Sequence, residues 1–204
     1  KSPILSKYPH SLVQYGFDIS RYPLLNNDEC KSKLNINNGR KNILFVAQDV
    51  TVRRKGIDLL ANALNKIDPT LFNIIAIGSG DIESEVNKDI NLLKLDHITN
   101  SSELNIAYSA ADIVIIPSRE DNSPNVMTES LLNGTPVISF SNGGMPEQIR
   151  TGENGIIVND ISSEALMNAV NDFLNNKYTF NRNEIRNYAI QNFSDDLQTS
   201  RYIN

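Results

Sequence analysis

Sulfur and imidazole are scarce in this chain, and acids outnumber bases. Its 204 residues include one cysteine, Cys30, and two histidines, His10 and His97. A single thiol cannot form an intrachain disulfide, and it fits a reducing compartment. No Cys/His cluster has metal-ligand spacing. The net charge of −5 leaves no general electrostatic case for nucleic-acid binding. The longest apolar runs are strand-sized, too short to span a bilayer. No stretch reads as a signal peptide, an internal repeat or a low-complexity tract. The chain opens KSPILSKYPH, without methionine, so the reading expects a piece of a longer protein. What is present is balanced. The sequence is 40% hydrophobic and 21% charged, which suits a soluble globular protein able to bury a core without staples.

Residues 1–40 hold three prolines, Pro3, Pro9 and Pro23, and a polar run ending at Asn38-Gly39. They read as a linker with one short strand at 11–15. From Lys41 the pattern changes. Apolar strands are expected at 43–47, 72–78, 97–99, 112–117, 137–140 and 155–158. Helical spacing follows the first strand, with Ile57, Leu60, Ala61 and Leu64 on one face. A polar helix is expected up to about Leu95, and another capped by Ser102. Residues 163–204 read as two or three amphipathic helices. Strands alternating with helices imply a parallel sheet covered on both faces. The expected fold is Rossmann-like: a doubly wound parallel sheet of about six strands. The expected divisions are 1–40, 41–193 and a C-terminal helix at 194–204.

The most informative stretch is SREDNSPNVMTESLLNGTPVISFSNGGMPE, residues 118–147. Asp121 stands eight positions before Glu129, with the helix-start signal Ser123-Pro124 between them. Ser123 can cap the helix and Pro124 suits its first position. The free N–H groups near Asn125 and Val126 can then receive phosphate oxygens. A carboxylate at Glu129 can grip a vicinal diol, as ribose requires. The bland alternative leaves Asp121 in a loop and Glu129 on the surface. Behind these residues, Gly143-Gly144 permits close approach of backbone to a ligand or forms an ordinary turn. Gly78-Ser79-Gly80 lacks the third glycine of a dinucleotide fingerprint. His97 reads as structural, and Tyr108 and Asp112 as setting helix packing and strand entry. Arg53-Arg54-Lys55 puts three cations at a helix start, where the dipole is already positive. Either an anion fills that gap or the turn is simply a solvated basic one.

Together the segments RKGIDLLANAL, AIGSG, YSAADIVIIPSREDNSPNVMTESLLNGTPVISF, GGMPEQI and GENGIIV carry a resemblance, over residues 12–193. The chain resembles the C-terminal donor-binding domain of GT-B-fold retaining glycosyltransferases of the family-4 type. The family's Glu-x7-Glu motif falls on Asp121 and Glu129, and its phosphate-binding lysine on Lys55. The resemblance implies that Glu129 holds the ribose of a nucleotide sugar and that Lys55 neutralises the diphosphate. Asp121, Asn122 and Ser123 would approach the sugar and diphosphate, and Ile98 and Thr99 would border the base. It further implies a hexose or N-acetylhexosamine donor linked to UDP, no metal cofactor, and a glycan or lipid-linked acceptor. The acceptor would be bound by an N-terminal domain outside this sequence. The implied setting is surface polysaccharide or lipopolysaccharide assembly, in the cytoplasm or peripheral at the inner face of its membrane. Two residues depart from the pattern. The first acid is Asp, one methylene shorter than Glu. An arginine usual six positions before the lysine falls on Asp49, and Arg53 and Arg54 both stand as replacements.

Other classes compete on the same residues. A nucleotide-sugar epimerase or a non-catalytic nucleotide-binding domain could use this fold. A phosphoacceptor receiver domain fits less well. Asp49 suits it, but Thr99 follows the third expected strand and no lysine follows Phe140.

Overall fold

The computed structural model, which describes residues 15–36, 39–122 and 124–203, contains six parallel strands. They are β1 (Lys41–Asp49), β2 (Phe72–Ser79), β3 (Asn91–Leu95), β4 (Ile113–Ile116), β5 (Val137–Phe140) and β6 (Gly155–Val158). Their order in the sheet is β3-β2-β1-β4-β5-β6, and every neighbouring pair is parallel. This is the Rossmann-like doubly wound sheet expected from the sequence. The order reverses between β1 and β4, and the C-terminal ends of the strands at such a switch point are where sheets of this kind hold ligands in a crevice.

Strand residues alternate between two cores. On one face Ile43, Phe45, Ile74, Ile113, Ile115, Ile138 and Phe140 meet α2 (Ile57–Leu64) and α6 (Ser163–Leu174). On the other, Leu44, Ile75, Ile77, Val114, Ile116 and Val137 meet α3 (Ser101–Ala110), α4 (Asn125–Leu132) and α7 (Arg182–Phe193). Because helices cover both faces, the middles of β1, β2 and β4 are apolar, and the buried Asn42 and Asn73 near the starts of the first two bond to each other at 2.7 Å. Each fully buried Ile, Leu or Phe contributes about 1.5–3 kcal/mol relative to exposure.

The N-terminal segment contains more structure than its prolines suggest. Helix α1 (Asn27–Lys33) starts where the Asn26 side chain accepts from the Glu29 N–H at 3.1 Å. Its acids lie in the first turn and its lysines in the last, which suits the helix dipole. Cys30 and Ile36 are buried in the second core, and Phe17 bonds to the backbone at Phe193 and Asp195. The short strand expected at 11–15 falls mostly outside the described residues.

Three expectations fail between β2 and α3. No polar helix runs to Leu95. Ile82, Val86 and Ile90 are spaced like a helix face and are buried, but the segment is built of turns. The Asp81 carboxylate accepts from the Ser84 N–H, and Asn87 from the Asp89 N–H. Such local side-chain bonds compete with the helical ladder. The third strand is Asn91–Leu95, not 97–99, with Leu92 on one core and Leu93 and Leu95 on the other. Ser102 lies inside α3, and the capping side chain is Asn100, which accepts from the Ser102 N–H at 2.8 Å. Beyond β5 lie α5 (Met145–Gln148) and, after β6, the three helices α6, α7 and α8 (Asp195–Ile203).

Candidate functional site

The loops after β1 and β4 fill the mouth of the crevice. The first begins with a turn closed by Asp49, whose Oδ1 accepts from the Thr51 N–H at 2.8 Å and its hydroxyl at 2.6 Å. Arg53–Lys55 then forms one 3-10 turn, and Gly56 enters α2 with φ +76°. A Cβ at Gly56 would stand 1.9 Å from the Pro117 carbonyl oxygen, so glycine lets the two loops touch. Arg119 bonds them further. Its N–H donates to the Arg54 carbonyl and its guanidinium to the Arg53 carbonyl, at 2.9 and 2.7 Å. The same guanidinium grips Asp58 on α2 through two bonds of 2.8 and 2.6 Å.

This frame brings Lys55 and Asp121 together. Lys55 Nζ donates to Asp121 Oδ2 at 2.8 Å, with the two side chains 25% and 13% exposed. The Arg54 guanidinium donates to the Glu120 carbonyl at 2.9 Å and lies 3.8 Å from the same Asp121 oxygen. Of the two arginines considered as replacements at Asp49, Arg54 therefore reaches the pair. The glycine turn after β5 holds the acidic loop from behind. Gly144 N–H donates to the Asn122 carbonyl at 2.7 Å. Gly143 has φ +53°, and a Cβ there would lie 1.7 Å from the Asp121 carbonyl oxygen. Asn142 also donates to the carbonyls of Ser118 and Arg119.

Helix α4 begins directly after this loop. Pro124, expected at the first helical position, takes the cap position with extended backbone and no side-chain cap, so the helix starts one residue later than expected. Ser123 lies outside the described residues. Asn125 is exposed, while Val126 is half-buried against the second core. As the first residues of a helix, their N–H groups have no partner within it. Glu129 is half-buried on the same helix, and its Oε2 accepts from the Tyr108 hydroxyl at 2.8 Å. Burial raises the Glu129 carboxyl above its usual pKa, while the Tyr108 bond and the charge of Arg21 hold it back. Ile98 and Thr99 lie in the loop between β3 and α3, Ile98 packed on the core and Thr99 exposed.

Two cations, Lys55 and Arg54, thus share one acid at a helix start, and a second acid sits deeper on that helix. This arrangement can hold an anionic group at the crevice mouth and a hydroxyl-bearing group further in. Asp112 behaves as expected at strand entry, its carboxylate accepting from the Asn42 N–H and pairing with Lys31 at 2.8 Å each. Three residues of this arrangement escaped the sequence: Tyr108, whose hydroxyl meets Glu129, Arg119, which joins the two loops, and Arg21, whose charge acts on Glu129. Each acts across a gap that no local spacing reveals. Among the described residues no group of three or more His, Cys, Asp or Glu is placed to hold a metal ion. Likewise no described helix is long and apolar enough to cross a membrane.

The chain is similar to known proteins. An uncharacterized 41.2 kDa protein in the cps region of Klebsiella pneumoniae is 27% identical over 164 residues, which are 79% of this chain and 45% of that protein. Among solved structures, HepE of Anabaena, determined in complex with UDP and glucose, superposes with a TM-score of 0.79 at 19% identity. That match covers 95% of this chain and 55% of HepE. The C-terminal domain of the group 1 glycosyl transferase LpcC from Francisella tularensis superposes with a TM-score of 0.65 at 20% identity, over 92% of this chain and 98% of that domain. The chain thus spans about half the length of the Klebsiella and Anabaena proteins. These structural likenesses establish the GT-B type of fold. The family model described as "Glycosyl transferases group 1" matches residues 40–176, from the first residue before β1 to just past α6, and the chain belongs to that family.

Proposed function

We propose that this chain is the donor-binding half of a retaining glycosyltransferase that takes its sugar from a nucleoside diphosphate, UDP in the first instance. The observation that carries the reading is the Lys55–Asp121 ion pair at the β1/β4 switch point. It shows two cations converging on a position already held by a negative group, with the N-terminus of α4 alongside. A departing diphosphate needs that surrounding. Charge that develops on the leaving group is stabilised by donors fixed in advance, and no metal is required for this. Glu129 on the same helix would take a ribose hydroxyl, and Ile98 and Thr99 would border the base. Asp121, Asn122 and Ser123 would approach the sugar. The complex of HepE with UDP and glucose supports this choice of ligand.

The acceptor would be a glycan or a lipid-linked glycan, held close to the donor by a second domain. The proposed setting is surface polysaccharide assembly at the cytoplasmic face of the membrane; only the polysaccharide part draws on the Klebsiella relative's place in a cps region. Calorimetric titration of this chain with a panel of nucleoside diphosphates and their sugars tests the reading. Binding of a UDP compound in preference to uridine is the expected result. If no nucleoside diphosphate binds at millimolar concentration, the proposal fails.

A further inference from the structure

The hydroxyl of Tyr108 is in an unusual position. Tyr108 is fully buried in α3, yet its oxygen reaches 2.8 Å across to Glu129 Oε2 on α4. A buried tyrosine normally finds a partner in its own surroundings, and a backbone carbonyl would serve. Here the partner is an ionisable side chain at the crevice. We propose that Tyr108 is a positioning residue: it holds the Glu129 carboxylate in one orientation, with Oε2 bound and Oε1 left free for the ligand. This inference rests on the nucleotide-binding reading and adds to it a residue that touches no ligand.

The charges around the pair favour that direction of donation. Burial, and next the negative charge of Glu129, raise the Tyr108 hydroxyl well above its usual range. It therefore stays protonated, and towards the Glu129 carboxylate it is the donor. Arg21, from the N-terminal segment, adds positive charge that favours the ionised carboxylate. Tyr22, beside Arg21, is itself raised, by burial and then by Glu129, so it too stays neutral. Helix α7, packed on α4, turns Arg186 to the Leu132 carbonyl at the far end of the helix. The crevice cations Lys55 and Arg54 are engaged with Asp121. The groups facing Glu129 are thus two neutral phenols, Tyr108 and Tyr22, and one cation, Arg21. Bound on one oxygen, the carboxylate does not rotate to meet a ligand, and less ordering cost falls on binding.

The variant Tyr108→Phe removes one oxygen atom and keeps the ring, so the buried volume is nearly unchanged. Two readouts are needed. The first is an NMR titration of the Glu129 side-chain carboxyl in both proteins without ligand, where Tyr108→Phe should raise the carboxyl pKa. The second is calorimetry with UDP, 2′-deoxy-UDP and pyrophosphate. UDP binding should weaken by roughly three- to tenfold, the range for loss of one ordinary hydrogen bond. Pyrophosphate binding should not change, and the preference for UDP over 2′-deoxy-UDP should shrink. In a Glu129→Gln background the same substitution should add little, as expected for a residue acting through Glu129. An unmoved carboxyl pKa overturns the proposal, and so does an unchanged UDP to 2′-deoxy-UDP ratio. If the variant melts early and loses pyrophosphate binding in parallel, the role of Tyr108 is structural and the proposal is overturned. Failure of the unaltered chain to bind any of the three ligands overturns the functional reading instead, and the NMR titration separates that case.

Discussion

Lys55 is both a cation at a helix start and one half of an ion pair, and these roles predict different mutants. If it serves the diphosphate, Lys55→Ala should weaken nucleoside diphosphate binding by about 1.5–3 kcal/mol, the contribution of a charge-assisted hydrogen bond. Nucleoside binding should barely change. The fold should survive, because the pair is partly exposed and Asp121 can turn to water. Equal losses for nucleoside and nucleotide in calorimetry would remove Lys55 from the phosphate site. Glu129 gives a prediction in pH. Its folded-state carboxyl is raised by burial, so the native state binds a proton more readily than the unfolded chain. Between the unfolded and folded pKa values, stability therefore falls as pH rises, and at neutral pH the ionised group costs stability. Glu129→Gln should melt at the same temperature or higher while UDP binding weakens. In the unaltered protein, binding should fade as pH drops through the raised carboxyl pKa. A lower melting temperature for Glu129→Gln at neutral pH would contradict this assignment.

Elements were legible where chain-local physics decided them, and less so elsewhere. β1, β2, β4, β5 and β6 are short apolar runs between turn residues, and a strand covered on both faces needs nothing further. The segment before β3 misled because Ile82, Val86 and Ile90 share a helical spacing, whereas Asp81 and Asn87 bond their own backbone. The Lys55, Asp121 and Glu129 positions could be placed because they belong to one ordered set of loops. Tyr108 and Arg119 could not, since their partners lie 21 residues and 61 residues away in sequence. Loop contact between β1 and β4 gives the prediction at this scale. Gly56→Ala places a Cβ against the Pro117 carbonyl in a left-handed backbone conformation. It should destabilise by at least about 1–2 kcal/mol from the backbone alone, with the clash added. Urea unfolding measures the loss. Nucleotide binding should weaken as well, since the shift separates Lys55 from Asp121, and an unaffected affinity would show that the crevice tolerates movement of these loops.

Across the whole molecule, the candidate site draws on widely separated parts of the chain. Lys55 follows β1, Asp121 follows β4, Glu129 is on α4, and Arg21 comes from a segment pinned to the last helices. Arg182 is one of the fasteners. Its guanidinium donates to the carbonyls of Ala111, Ser109 and Asn133 and to the Thr135 hydroxyl, joining the ends of α3 and α4 to α7. Those two helices carry Tyr108 and Glu129. A site assembled in this way draws all these residues from the one chain, and on the proposed function sugar transfer also needs an acceptor held against it. The 204 residues should therefore bind UDP on their own and transfer no sugar to added glycan acceptors. Calorimetry together with a radiolabelled transfer assay checks both halves of this expectation. Transfer by these residues alone would show that the acceptor site lies within this chain, on the rim of the β1/β4 crevice. Binding without transfer is the outcome the proposed donor-binding role requires, and the Lys55→Ala and Glu129→Gln variants then test whether these two residues carry the binding.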